Sequence, residues 1–319
     1  MHAMPKKIAV LDLGSTSFSL AVFEVAPKGR FKRILRKRIT LRLGAHINRS
    51  GAIPESDCLR ATEAVRRLRI MAADIGCETL LPVGTAIFRN AGNARELTAR
   101  IEDVLDFPVR ILSGEEEARL SYTALHHRLK LGETRVMVAD LGGGSLELAV
   151  GIDSQPQWLV SLPIGVTRLH AEWVHTDLPS KNDARAIRDH VRDLLIDQVS
   201  KTGMDKPLRL AATGGTIRAL ARLALAWRKK SDRCALNGMT LTRKEIETTL
   251  TRLVTATHET RLEMPTVQPR RADLLPVGGL IVSTLLSVLA FDEFVVSDWG
   301  LREGILLEAL KASAPVGRA

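Results

Sequence analysis

The sequence has few aromatic residues and few cysteines, and each shortage excludes a class of function. Aromatic residues make up 4% of the 319 residues, which leaves few rings to stack on bases and predicts that no nucleic acid is a partner. The three cysteines, Cys58, Cys77 and Cys234, lie far apart and form no metal-ligand pair. We therefore expect free thiols in a reducing, cytoplasmic compartment rather than a disulfide framework.

The sequence also lacks an uninterrupted hydrophobic segment of the length that spans a membrane. The longest apolar stretch, residues 274–291, is interrupted by Pro276 and two glycines, which predicts a buried central helix. Near the N-terminus, Lys6 and Lys7 precede only a short apolar strand that ends at Asp12, and this is not the pattern of a secretory signal. We expect no membrane partner.

Positive charge is what the sequence has in excess. Its 46 Lys and Arg residues against 36 Asp and Glu residues give a formal net charge of +10, so the surface should attract polyanions. Nine basic residues and no acidic residue lie in the segment 28–49. That segment is either an edge strand whose charge opposes aggregation or a binding track for a chain of phosphates.

A repeated motif organises the chain. Residues 11–22, L-D-L-G-S-T-S-F-S-L-A-V, match residues 139–150, A-D-L-G-G-G-S-L-E-L-A-V, at seven of twelve positions. Each copy follows a short apolar strand, passes through a small-residue loop and enters an alternating second strand, which predicts a hairpin. Together with the mixture of strand-like and helix-like periods, the repeat predicts an α/β protein of two duplicated domains with a cleft between them.

Small residues in these loops predict phosphate binding, because backbone N–H groups can cradle phosphate oxygens only where the side chains are small. Gly214 and Gly215 stand at a predicted helix start. The backbone N–H groups at the N-terminal end of a helix also bind anions. One such turn alone is usually structural, but two matched copies that each contain an Asp favour a binding site. The candidate phosphate ligands are Gly14, Ser15, Thr16, Ser17, Gly142, Gly143, Gly144, Ser145, Gly214 and Gly215.

Carboxylates lie beside these loops. Asp12 and Asp140 end the two apolar strands, where they can hold Mg²⁺ or its waters, or instead bind the loop amides. The segment 113–120, S-G-E-E-E-A-R-L, begins a predicted helix, and glutamates in a first turn usually serve the helix dipole. Because this segment lies where the first half passes into the second, one of its glutamates can reach the cleft and act as a general base.

The ordered set of motifs resembles the exopolyphosphatase/guanosine pentaphosphatase family, within the superfamily of sugar kinases, Hsp70 and actin. The resemblance spans essentially the whole chain. It implies two actin-like, ribonuclease H-like domains, the first formed by residues 1–124 with a returning C-terminal helix at 301–319 and the second by residues 125–300. The motifs are D-L-G-S-T-S-F at 12–18, G-T-A-I-F-R-N-A at 84–91, S-G-E-E-E-A-R-L at 113–120, D-L-G-G-G-S-L-E-L at 140–148, S-L-P-I-G-V-T-R-L at 161–169, A-T-G-G-T-I-R-A-L-A at 212–221 and V-S-D-W-G-L-R-E-G-I at 296–305.

The resemblance also implies roles for single residues. Glu117 corresponds to the glutamate that activates the attacking water, and Arg89 to an arginine that contacts phosphate. Asp12, Asp140 and Glu147 correspond to positions that handle Mg²⁺ or Mn²⁺. The implied activity is that of an exopolyphosphatase, which is metal-dependent hydrolysis of the terminal phosphate of inorganic polyphosphate or another phosphate chain.

Two positions depart from the family pattern and leave other functions open. Thr16 stands where the family usually has Asn, and Leu146 stands where it usually has Thr, so we expect altered substrate preference or weak activity. The alternatives are a pppGpp 5′-phosphohydrolase, an ATP-dependent kinase or ATPase of the same fold, and a non-catalytic regulator that binds polyanions. For a protein partner we expect at most a second copy of the chain, in a homodimer.

Overall fold

The structure is a computed structural model that describes residues 5–200, 209–228 and 235–312. Two mixed β-sheets, each flanked by helices, account for the described chain. Cys234 lies outside the described residues, whereas Cys58 and Cys77 are free thiols. Among the described helices, none is both long and apolar enough to cross a membrane.

The first half of the chain forms a five-stranded sheet in the order β3-β2-β1-β4-β5. Strands β1 to β3 form an antiparallel meander, and β4 and β5 run parallel to β1. The strands are β1 (Lys6–Leu13), β2 (Ser17–Val25), β3 (Phe31–Thr40), β4 (Thr79–Gly84) and β5 (Arg110–Ile111), and the helices are α1 (Gly44–Ser50), α2 (Glu55–Asp74), α3 (Ala86–Asn90), α4 (Ala94–Leu105) and α5 (Gly114–Leu129).

The second half forms a six-stranded sheet in the order β10-β11-β9-β6-β7-β8. Its strands are β6 (Val136–Leu141), β7 (Leu146–Ile152), β8 (Gln155–Leu162), β9 (Arg209–Gly214), β10 (Thr240–Thr242) and β11 (Glu293–Val296). Its helices are α6 (Val166–Trp173), α7 (Lys181–Ser200), α8 (Gly215–Trp227), α9 (Arg243–Thr255), α10 (His258–Glu263), α11 (Leu275–Val288) and α12 (Leu301–Ala312).

The predicted duplication is confirmed by the topology of the two sheets. The order β3-β2-β1-β4 of the first sheet is repeated as β8-β7-β6-β9 in the second. The two predicted hairpins also share one register, since Asp12 pairs with Ser19 in β2 and Asp140 pairs with Glu147 in β7. The α/β fold of two duplicated domains is therefore correct, and both repeated loops lie at the same end of their sheets.

Most predicted helices and strands match the structure. The apolar periodicity of residues 54–75 predicts a helix, which is α2, and a second helix predicted at 94–105 is α4 with the same bounds. The apolar stretch 274–291 contains α11, which is buried along almost its whole length, as predicted.

Helices α5 and α12 connect the two halves. Ala118 and Tyr122 of α5 pack on the second sheet, whereas Ile305 and Leu306 of α12 pack on the first. The two helices also contact each other, and a Cβ on Gly304 of α12 would lie 2.2 Å from a backbone oxygen of α5. Each half thus supplies a helix to the other half, while the predicted domain boundaries stay a prediction.

Strand β3 is an edge strand whose arginines share one face. A bulge shifts the β2–β3 register between Val22 and Phe23, so that Arg33, Arg36 and Arg38 all pair with residues on the α12 face of β2. Without the extra residue of the bulge, Arg33 would point to the opposite face, because side chains alternate along a strand.

Candidate active site

The two repeated loops touch each other across the cleft. A Cβ on Gly143 would lie 1.8 Å from Oγ1 of Thr16, and a Cβ on Gly144 would lie 2.5 Å from Oγ of Ser15. Only glycine therefore lets the second loop approach the first so closely. The hydroxyls of Thr16 and Thr167 are 2.6 Å apart, and this hydrogen bond ties the first loop to the start of α6.

A polar cavity of about 140 Å³, which we call the loop cavity, is lined by both loops and by the first turns of α5, α8 and α12. Every predicted site residue except Arg89 lines it. These residues are Asp12, Gly14, Ser15, Thr16, Ser17, Glu117, Asp140, Gly142, Gly143, Gly144, Ser145, Glu147, Gly214 and Gly215.

Glu117 is held in the loop cavity by α5 and by one arginine. Its side chain is buried and accepts a hydrogen bond from Nη1 of Arg89, which also donates to the carbonyl of Leu112 at 2.5 Å. Burial and the nearby Glu147 carboxylate raise the pKa of Glu117 well above its ordinary value, against the lowering effect of Arg89. Arg89 thus contacts the predicted base and lies just outside the cavity wall.

Glu147 is the second buried carboxylate of the site. Its Oε1 accepts a hydrogen bond from Oγ of Ser161 at 2.8 Å. Burial and the charge of Asp140 raise the pKa of Glu147 to about 7, although hydrogen bonds from Ser145 and Ser161 oppose the shift. A carboxylate with such a pKa can exchange a proton near neutral pH.

Asp12 and Asp140 occupy equivalent positions at the ends of β1 and β6. Asp140 accepts a hydrogen bond from the hydroxyl of Ser121 at 2.7 Å, and Asp12 lies 3.4 Å from Nη1 of Arg302. Burial is the main cause that raises the pKa of both carboxyl groups. The site thus places carboxylates where desolvation makes a cationic partner favourable.

The three glutamates in the first turn of α5 have different surroundings. Glu116 forms a capping box with Ser113, in which each side chain binds the other's backbone N–H. Glu115 is exposed, so Glu117 alone of the three is buried in the cavity. Because residues four apart share a helix face, Ser121 lies beside Glu117 and reaches Asp140.

The segment 213–216, T-G-G-T, forms the start of α8. Gly214 has a φ of 112°, and a Cβ there would lie 2.3 Å from the carbonyl oxygen of Leu141, so glycine is required on both grounds. A Cβ on Gly215 would lie 2.1 Å from Nη2 of Arg271. The free N–H groups of the first turn of α8 and this guanidinium group together favour an anion.

Four arginines that line the loop cavity were not predicted as site residues. They come from β3, the start of α8, the segment before α11 and the start of α12, and they are Arg38, Arg218, Arg271 and Arg302. Arg38 belongs to the basic run and Arg302 to the W-G-L-R motif, so the sequence contained a signal for both. Arg271 lies in no motif, and only the tertiary fold brings it to the site.

A second cavity of about 420 Å³, which we call the basic cavity, adjoins the loop cavity. The two share Arg38, Gly215, Arg218 and Arg271. Seven basic side chains line the basic cavity, namely Arg36, Lys37, Arg38, Arg218, Arg222, Arg270 and Arg271. Among the residues that line either cavity in the described chain, none is aromatic.

The seven cations of the basic cavity are not neutralised by the acidic residues that the structure describes. Within residues 5–200, 209–228 and 235–312, none of them forms an ion pair with a carboxylate. Burial and neighbouring guanidinium groups lower the pKa of Arg36 to about 8 and the pKa of Arg38 to about 9, which leaves both charged at neutral pH. Four of the seven, among them Arg36, are exposed, and the other three are half-buried. Like charges that line one cavity repel one another until an anion neutralises them.

The two departures from the family pattern have different structural consequences. Leu146 is fully buried in the core of the second half, so its side chain is part of the packing rather than of the phosphate loop. Thr16 lines the loop cavity and forms the hydroxyl contact with Thr167. Its hydroxyl therefore takes part in the contact between the two halves.

Comparison with known proteins gives a family match over most of the chain. The model of the Ppx/GppA phosphatase family matches residues 21–313. Exopolyphosphatase 1 of Mycobacterium leprae is 28% identical over 310 residues, which cover 97% of this chain and 91% of that protein.

Solved structures show the same fold. The Ppx/GppA family member of Aquifex aeolicus is 25% identical, and the match covers 97% of this chain and 99% of that one with a TM-score of 0.79. An exopolyphosphatase from Cytophaga hutchinsonii matches over 97% of this chain and 99% of its own with a TM-score of 0.89 at 22% identity. The actin-like two-domain fold predicted from the motifs is thus confirmed.

Proposed function

Because this chain belongs to the Ppx/GppA phosphatase family, we propose that it is an exopolyphosphatase that hydrolyses the terminal phosphate of inorganic polyphosphate. The observation that carries the proposal is the basic cavity beside the loop cavity. A chain whose terminal phosphate lies near Glu117 can extend past Arg38 and Arg218, which line both cavities. Its remaining phosphates would then lie among the unpaired cations.

The lining of the two cavities favours a bare phosphate chain over a nucleotide. Guanine recognition normally uses a ring for stacking or an apolar slot, and the described lining residues include no aromatic side chain. Seven basic residues in the basic cavity match a substrate that carries negative charge on every unit. This is why we place polyphosphate ahead of pppGpp.

Glu117 is the residue that we assign as the general base. In its ionised form its carboxylate takes a proton from the attacking water, whose oxygen then bonds to the terminal phosphorus as the bond to the bridging oxygen breaks. Arg89 donates a hydrogen bond to this carboxylate, which orients it and favours the ionised form. The shortened chain leaves with the electron pair of the broken bond.

The loops and helix starts bind the phosphate that is cleaved. Backbone N–H groups of the two loops and of the first turn of α8 are suited to phosphate oxygens. Arg218 and Arg302 line the same cavity and can neutralise the charge that spreads over those oxygens in the transition state.

We assign a Mg²⁺ or Mn²⁺ ion to the carboxylates Asp12, Asp140 and Glu147, of which one or two would bind it directly. Within the described residues, no three His, Cys, Asp or Glu side chains lie close enough to enclose a metal ion by themselves. Mg²⁺ is usually held by one or two carboxylates together with substrate phosphates and waters, so the partly desolvated carboxylates fit it. When bound, the ion would neutralise negative charge on the phosphate oxygens.

The test is phosphate release measured side by side on long polyphosphate, tripolyphosphate, pppGpp and ATP, with Mg²⁺ or with excess chelator. We expect the highest kcat/KM for long polyphosphate and no release in chelator. A preference for pppGpp would favour the nucleotide phosphohydrolase. Cleavage of ATP only with an organic acceptor would favour a kinase, and tight polyphosphate binding without release would favour a regulator.

A cytoplasmic location stays a prediction.

A further inference from the structure

The basic cavity is built from both halves of the protein. Arg36, Lys37 and Arg38 come from β3 in the first half. The other four basic residues come from α8 and from the segment 264–274 between α10 and α11, which we call the arm. The cavity therefore exists only while the arm stays in place opposite β3.

Electrostatic repulsion works against this arrangement. Cations of the first half face cations of the second half across the basic cavity, and no carboxylate of the described chain pairs with them. Like charges in a partly desolvated cleft repel each other over several ångströms. An attractive contact between the arm and the end of β3 would offset this repulsion before an anion arrives.

One ion pair at the border of the basic cavity supplies that contact. Arg42, which follows β3, donates from Nη2 to Oδ1 of Asp273 at 3.0 Å and from Nη1 to Oδ2. The same Nη2 lies 3.1 Å from the carbonyl oxygen of Arg270. Asp273 belongs to the arm, two residues after Arg271. A bidentate guanidinium–carboxylate pair is strong and fixes geometry.

The surroundings show that the pair is well formed. The Asp273 side chain is only 19% exposed. Burial works to raise its pKa, but the hydrogen bonds and charge of Arg42 outweigh burial and hold the pKa of Asp273 below its ordinary value.

Arg42 itself has a φ of 58°, in the left-handed region that non-glycine residues adopt rarely. The backbone thus turns sharply where β3 ends.

We propose that the Arg42–Asp273 ion pair is a positioning pair that determines chain-length specificity, because it holds Arg270 and Arg271 over the basic cavity. This inference rests on the proposed function. A long chain places phosphates in both cavities, and it gains affinity from the arm. The shorter the chain, the fewer phosphates extend beyond Arg38 and Arg218, so short substrates depend less on the pair.

The experiment compares binding of long polyphosphate and of tripolyphosphate to the full chain by calorimetry in chelator, so that hydrolysis plays no part. Asp273→Asn keeps the size of the side chain and removes its charge. We expect the Kd for long polyphosphate to rise about tenfold, the worth of one lost charge-assisted contact, and the Kd for tripolyphosphate to change less than twofold.

Two further variants keep the result interpretable. Asp106→Asn removes the same charge from an Arg–Asp pair on the surface of the first half, where Asp106 is 71% exposed, and should leave both Kd values unchanged. The exchange Arg42→Asp with Asp273→Arg restores an ion pair and should recover most of the lost affinity. Equal weakening for both chain lengths, or no recovery in the exchange variant, would overturn the proposal.

The measurements distinguish failure of the proposed function from failure of the ion-pair proposal. If the unmodified protein released no phosphate from long polyphosphate, the exopolyphosphatase assignment would fail, while the ratio of Kd values between variant and unmodified protein would still test the ion pair. If phosphate release were normal and the ratio did not change, only the role of Arg42 and Asp273 would be wrong.

Discussion

Carboxylates and guanidinium groups share the loop cavity without neutralising one another fully. Asp12 contacts Arg302 at 3.4 Å, whereas Asp140 and Glu147 have only hydroxyl donors among their described hydrogen bonds. Among the described residues, Arg38 likewise pairs only with the hydroxyl of Ser19. Opposite charges kept apart in this way support our proposal that a cation binds on one side and a phosphate on the other.

A substitution at Glu117 should lower turnover without lowering the affinity for polyphosphate. Glu117→Gln keeps the shape and removes the basicity, so we expect kcat to fall by about two to four orders of magnitude, the usual worth of a positioned general base. Binding of polyphosphate should persist, because the loops and the basic cavity are unchanged. The measurement is steady-state phosphate release together with a direct binding assay.

The neighbouring glutamate is the matched control for this change. Glu115 is exposed, so Glu115→Gln should keep near-normal turnover and alter only the helix dipole. If Glu117→Gln retained turnover while Glu115→Gln lost it, the base would be assigned to the wrong residue.

Glu147 should make the stability of the metal-free protein depend on pH. Its pKa is raised from 4.5 to about 7 in the folded state, so between these values the folded protein holds a proton that the unfolded chain has lost. Stability therefore falls as pH rises through this window, by roughly 3 kcal/mol in total. Below pH 4.5 both states are protonated and the effect vanishes.

The variant Glu147→Gln removes this titration. In chelator, it should be more stable than the unmodified protein at pH 7.5 but not at pH 4.5, with the difference measured by urea unfolding. A difference that stayed constant across the pH range would show that Glu147 does not titrate in the window assigned to it.

Among the elements, β3 has features that fit both interpretations that the sequence presented as alternatives. It is the edge of its sheet, where a run of positive charge opposes pairing with another chain. The alternation of side chains also places Arg36 and Arg38 together on the face where they line the basic cavity, and the bulge opposite Val22 and Phe23 adds Arg33 to that face. The edge-strand interpretation is therefore confirmed, and the phosphate track stays a prediction.

Removing charge from this face should weaken binding of long chains. For the double variant Arg36→Gln, Arg38→Gln we expect a higher KM on long polyphosphate and a larger effect there than on tripolyphosphate. The plot of log Kd against log salt should flatten by roughly one unit for each lost phosphate contact, as it does for nucleic acids.

Lys32 provides the control on the same strand. It pairs with Glu24 at the surface and is 69% exposed, so Lys32→Gln should leave the KM and the salt dependence unchanged. Equal effects of the double variant and of Lys32→Gln would mean that β3 attracts polyanions only through its overall charge.

The elements that could be predicted from the sequence are those whose signals are local. Hairpins with a repeated motif and long amphipathic helices such as α2 and α4 match the prediction. Short helices such as α1 and α3 lack enough turns to show a period, and the sequence did not predict them. The sequence also did not show that a bulge would align the arginines of β3, because a bulge depends on strand pairing.

For the whole molecule, the sequence predicted those site residues that lie within a recognisable motif. Motif residues from both halves line the loop cavity together. Contacts between distant segments were not predictable, and these include Ser161 on Glu147, Thr167 on Thr16 and Arg271 on the start of α8. Such contacts arise from packing, which leaves no periodic trace in the chain.

The exchange of helices α5 and α12 between the halves sets the order in which the protein can be completed on the ribosome. Ile305 and Leu306 of α12 cover the apolar face formed by Val10, Ala21 and Phe23, although they are made long after these three residues. At 5–20 residues per second, the segment between α5 and α12 takes roughly ten to thirty seconds to emerge. During that interval the first sheet lacks the cover that α12 provides, and we expect the positive charge of β3 to keep its edge from pairing with neighbouring nascent chains.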